Sequence, residues 1–90
     1  MNNDLFEAIW HLEEIKNLAY RQYKTEYDFI VSNNIVERSE IEHLFDQLLN
    51  FIEDDKFSAL YWQLINYVEK FDPEVGSFYR RVEEIHCEGH

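Results

Sequence analysis

Apolar residues recur every three or four positions along most of this chain, and that period predicts helices. The longest such stretch opens near Asp4 and runs to about Ile30. Leu5, Ile9, Leu12, Ile15 and Ala19 keep one face, and Tyr20, Tyr23 and Tyr27 carry it on. Asn3 stands where an N-cap belongs, with Asp4 and Glu7 in the first turn, where the helix dipole favours negative charge. Ser32-Asn33-Asn34 breaks the pattern, because such side chains bond their own backbone in turns.

Ile35 to Arg38 reads as a connector. Ser39 and Glu42 then have the spacing of a capping box before a second apolar run of Ile41, Leu44, Phe45, Leu48, Leu49 and Ile52. That run stops at Glu53-Asp54-Asp55, where Asp54 or Asp55 can cap a third helix bearing Phe57, Leu60, Tyr61, Leu64, Val68 and Phe71. Asp72-Pro73-Glu74 is the sharpest punctuation: an N-cap, a proline whose fixed φ suits the first helical position, and an acid in the first turn. The fourth helix carries Val75, Phe78, Tyr79, Val82 and Ile85 and frays near Cys87.

Two glycines and one proline are too few for the turns of an all-β domain. The expected fold is all-α: one domain over residues 1–90, a small antiparallel bundle of about four helices. A first helix of some 27 residues would span about 40 Å at 1.5 Å per residue. Its neighbours have about half that length. It is therefore either bent, or it projects and pairs with a second copy, making a homodimer. Apolar residues make up 46% of the chain, with seven Phe, six Tyr and two Trp, which is ample core material for so short a chain.

Charge changes the picture more than size does. Nineteen Asp and Glu stand against eight Lys and Arg, a formal net charge of −11. Phosphate backbones and anionic lipids reward the opposite sign, so nucleic acid and membrane surfaces are disfavoured and a basic protein partner is favoured. The single Cys87 permits no internal disulfide, no apolar run reaches the ~20 residues of a membrane span, and the N-terminus lacks a signal-peptide pattern. A cytoplasmic location is the expectation.

Two constellations offer chemistry. Glu40/His43 and Glu83/His86 repeat Glu-x-x-His, the spacing that puts both side chains on one helix face in di-metal bundles. With so many acids such pairs also arise by accident, and no metal or other cofactor is expected. Arg81-x4-His86 resembles the active-site pattern of the HEPN domains, a helical RNA-cleaving family. That resemblance covers six residues and would imply phosphate chemistry by Arg81 and His86. It departs at Val82, where the family usually has a polar residue. No catalytic residue is assigned, and a non-enzymatic role is expected.

The acidity is concentrated. From Glu37 to Asp55 the chain holds Glu37, Glu40, Glu42, Asp46, Glu53, Asp54 and Asp55 against Arg38 alone. This stretch is expected to form an acidic ridge that docks a basic partner. Trp10, Tyr23 and Trp62 are the rings expected in the contact surface, since aromatics anchor interfaces. The expected function is inhibition of a basic partner, a nuclease or other nucleic-acid-processing enzyme. Bacteriocin immunity proteins, antitoxins and phage anti-defence (anti-CRISPR) inhibitors share this physical type, and outright DNA mimicry is one variant. A self-associating structural or regulatory protein is the alternative.

Overall fold

In a computed structural model the chain forms four helices, α1 (Asn2–Ser32), α2 (Arg38–Leu49), α3 (Asp55–Val68) and α4 (Pro73–Glu88). The backbone is described for residues 2–88 and the side chains for residues 12–85. Trp10, His86 and Cys87 therefore lie outside the described side chains. Among the described residues there is no strand, and no helix is long and apolar enough to cross a membrane.

The helix boundaries have local causes. α1 ends in a Schellman motif: Asn34 takes a left-handed φ of 53°. The Ile35 amide then donates to the Ile30 carbonyl at 2.9 Å, and that of Asn34 to Val31 at 3.3 Å. At α3 the Asp54 carboxylate accepts from the Lys56 amide at 3.1 Å, and at α4 Asp72 accepts from the Val75 amide at 3.3 Å. The expected capping box at Ser39 is corrected: α2 starts two residues earlier than that cap implies, its N-cap is Glu37, and no side chain caps it. The Arg38 side chain donates to Asp72 at 2.9 Å, which ties the start of α2 to the start of α4. Asn3 lies inside α1 rather than at its cap. α2 ends at Leu49 and α3 at Val68, so Ile52 and Phe71 belong to the connections.

The cross-links give the helix directions. Lys56 bonds Asn17, and the Tyr67 hydroxyl donates to the Ile35 carbonyl at 2.8 Å, so α1 and α3 run the same way. Arg38–Asp72 and Asp46–Tyr79 align α2 with α4. The order is thus up-down-up-down, as short connections favour. α1 packs on α2 and α3, and α4 packs on the same two, but among the described residues α1 and α4 do not meet. The α2–α3 hairpin is a central layer covered from both sides.

Each side is joined by aromatic rings. Toward α1, Phe51 stacks on Phe57 at 4.7 Å between centroids, and Tyr20 and Tyr23 meet Phe57 edge-on. Toward α4, Phe45 stacks on Tyr79 at 4.1 Å and meets Tyr61 edge-on at 5.0 Å. The buried Tyr61 hydroxyl donates to the Tyr79 carbonyl at 2.6 Å. Where α4 starts, Gly76 allows close approach: a Cβ there would sit 2.5 Å from Glu69 Cγ.

The 31 residues of α1 make it about 46 Å long, twice its neighbours. Asn17 lies level with the start of α3, so the first half of α1 runs past the α2–α3 connection. The radius of gyration is accordingly 15.0 Å, against about 12 Å for a compact chain of this length. The long first helix projects. Leu12 and Ile15, expected in the core, are exposed: Leu12 borders the α2–α3 connection across an open cleft lined by Leu49 to Asp54, which leaves it uncovered.

Phe45→Ala should cost about 3–5 kcal/mol, since Phe45 is fully buried between two tyrosines. Urea unfolding checks this. Asp72→Ala should lower the urea midpoint through the lost cap. The Arg38 hydrogen bond holds the Asp72 carboxyl below its usual range, against a smaller opposing effect of desolvation. Its stabilising contribution is thus present above the unfolded carboxyl pKa and lost as pH falls through the lowered one. NMR titration should find the Asp72 pKa higher in Arg38→Gln. Burial pushes the Tyr61 and Tyr79 phenols well up. Their contribution is whole below the unfolded phenol pKa of about 10 and drains as pH rises beyond it. Urea midpoints of the Tyr61→Phe/Tyr79→Phe protein should therefore fall less between about pH 8 and 11 than those of the parent.

Candidate partner-binding face

The proposed acidic ridge divides when folded. Ile41, Leu44, Phe45 and Leu48 point α2 into the core, which sends its acids to opposite flanks. Glu40 lies with His43 toward α1, beside Thr25, Glu26, Phe29 and Ile30. Glu42 lies toward α4, in a groove with Arg38, Glu74, Val75 and Phe78. Asp46 follows on that flank and accepts from the Tyr79 hydroxyl at 3.4 Å. Glu37 stands at the start of α2, while Glu53, Asp54 and Asp55 sit beyond its other end, about 18 Å away along the helix. The seven acids thus form separate groups, and Asp54 is occupied as a cap.

The aromatic candidates also move. Tyr23 is corrected: it is 9% exposed and packs on Phe51 and Phe57, so it belongs to the core. It faces inward because α1 lays its Tyr20–Tyr27 column on the hairpin. Trp62 is half-buried and covered by Arg80, whose guanidinium lies 5.2 Å from the ring centre while pairing with Glu69. The Trp10 side chain lies outside the described residues.

The rings that do reach the surface were expected inside. On α4 the apolar stripe Val75, Phe78, Tyr79, Val82 and Ile85 is only partly buried: Val75 and Tyr79 face the core, while Phe78 and Ile85 do not. The helix is rotated, so that Val75, Gly76, Tyr79 and Glu83 face the hairpin. Phe78 and Ile85 are 60% and 62% exposed, whereas Glu83, a carboxylate, is 9% exposed. Stacking of Tyr79 on Phe45 fixes this rotation. The outcome is an outward apolar strip, Phe78–Val82–Ile85, edged by Glu42, Asp46 and Glu74. The acids here are not fully neutralised: Arg38 bonds Asp72 and lies 3.9 Å from Glu74. Burial, then Asp46 and Glu42, push the Tyr79 phenol up, which marks the negative field on this flank.

A signal for this face existed in the sequence. Asp72, Gly76, Tyr79 and Glu83 also keep helical spacing, and Gly76 is a residue that permits close packing. Weighing apolarity alone gave a broader stripe that included Phe78 and Ile85 and left out Gly76 and Glu83.

The chemical constellations gain little. Among the described residues no three His, Cys, Asp or Glu side chains gather as a metal site requires. Glu40 and His43 are exposed, and the His86 side chain lies outside the described residues. Arg81 is exposed on a continuous α4.

No family model, curated protein or solved structure matches this chain.

Proposed function

We propose that this chain is a non-enzymatic binding protein that holds a basic, partly apolar segment of another protein on the α4 face. The observation carrying this reading is the rotation of α4, which buries Glu83 and displays Phe78 and Ile85. A local rule broken in this way, with apolar side chains left in water and a carboxylate turned inward, supports a functional surface. Phe78 and Ile85 offer the apolar contact and Glu42, Asp46 and Glu74 offer charge. An arginine side chain suits both, since its stem lies on rings while its guanidinium pairs with carboxylates.

The partner class that best fits is a protein whose basic surface otherwise engages nucleic acid. Occupying that surface would inhibit it. The wider charge of −11 supports fast, salt-sensitive encounter, while the apolar strip supports residence once docked.

The test uses a fluorescent amphipathic helical peptide of arginine and leucine as the probe. Glu42→Lys/Asp46→Lys/Glu74→Lys and Phe78→Asp/Ile85→Asp should each weaken its binding about ten-fold or more. Glu13→Lys/Glu40→Lys/Asp55→Lys, with the same change of charge elsewhere, should weaken it much less. Equal loss in both charge sets would mean a general attraction with no site. In a panel of basic nucleases, inhibition of any member should vanish with the α4-face variants and survive the control.

A further inference from the structure

We propose that the groove between the end of α1 and the start of α2 binds a small organic cation with an apolar body, of the aromatic amidine class. Thr25, Glu26, Phe29 and Ile30 of α1 line it together with Glu40 and His43 of α2, and its volume is about 370 Å³. That size lies in the range of small-ligand sites, about 300–1,000 Å³, and the lining is mostly apolar, as such sites require. Phe29 is 59% exposed, which leaves ring surface for an occupant to cover. Thr25 spends its hydroxyl on the Arg21 carbonyl at 2.8 Å and adds no free donor. The space holds one ring with its substituent rather than a helical segment.

Charge selects the occupant. Glu26 stands on the α1 wall and Glu40 on the α2 wall, and among the described residues neither pairs with a Lys or Arg. The bases closest to them in sequence are engaged elsewhere. Lys24 pairs with Asp28 at 3.1 Å and lies over the Tyr27 ring, and Arg38 bonds Asp72. An apolar floor between two uncompensated carboxylates favours a positive charge, and an exposed aromatic face favours it further. A metal ion does not answer this description, because Glu26, Glu40 and His43 do not gather as a metal site requires. The charge is therefore carried on a larger body. An amidinium is planar, donates to carboxylates from both nitrogens, and joins directly to a ring.

This site does not rest on the α4 face. No residue of α4 lines it, and Glu40 belongs to this groove while Glu42 belongs to the other. The occupant touches α1 and α2 together, near the turn at Asn34 that joins them. A ligand held only by the folded arrangement of two helices also stabilises that arrangement by mass action.

Benzamidine is the probe, and benzamide is its uncharged analogue of the same shape. Backbone amide shifts of isotope-labelled protein, followed with benzamidine to about 20 mM, should saturate, a range that suits so small a ligand. They should centre on Thr25, Phe29, Glu40 and His43. Benzamide should bind about ten-fold more weakly or worse, a comparison that needs no variant. Glu26→Gln/Glu40→Gln and Phe29→Ala should each weaken benzamidine about five-fold or more. Their circular dichroism spectra should be unchanged, since none of the three side chains is buried. Glu42→Gln/Glu74→Gln should bind benzamidine as the parent does. Equal binding of benzamide, no saturable binding, or shifts centred on the α4 face would each overturn the proposal. So would displacement of benzamidine by the arginine–leucine peptide, which would make the groove part of the protein-binding surface.

Discussion

The fold depends on one requirement: α3 must be covered from two sides at once. Its Phe57, Leu60, Tyr61, Leu64, Ile65 and Val68 are all buried, a stripe too wide for a single neighbour. α2 covers one part, α1 another, and α4 the rest. Aromatic rings make the joints because each fills much space with few torsions to freeze. Phe57 receives Tyr20, Tyr23 and Phe51, and Tyr61 sits between Phe45 and Tyr79. In a chain of 90 residues, where a large share of surface stays wet, such rings supply burial that shorter side chains could not.

The surface follows from that requirement. Once Tyr79 must lie flat on Phe45 while its carbonyl accepts from Tyr61, the rotation of α4 is set. Gly76 then faces α3, Glu83 turns inward, and Phe78 with Ile85 turns out. A mixed face beside Glu42 and Glu74 is the consequence, and it joins contact and charge where the acidic stretch alone offered only charge. The projecting half of α1 has a different origin. Three helices of 12 to 16 residues cannot cover a fourth of 31, so an apolar stripe of core quality outlasts the bundle that would bury it.

The sequence by itself determined the four helices and where most of them begin and end. Those features are local: Asn34 tolerates a left-handed φ, Asp54 and Asp72 bond amides two or three residues on, and Pro73 starts a helix it could not continue. It also determined most of the faces of α2 and α3, whose apolar residues outnumber any competing stripe. Tertiary structure decided what neighbours decide. The acids of Glu37 to Asp55 are contiguous along the chain, yet a helix turning about 100° per residue sends Glu40 and Glu42 to opposite flanks once its core face is fixed. Tyr23 is buried because the hairpin lies beneath it, and Leu12 is exposed because only an open cleft beside the α2–α3 connection faces it. On α4 two stripes keep helical spacing, and only the contact with Phe45 and Tyr61 selects the one that carries Glu83 inward. Periodicity fixes that a helix has faces; which face is buried depends on residues far away in the chain.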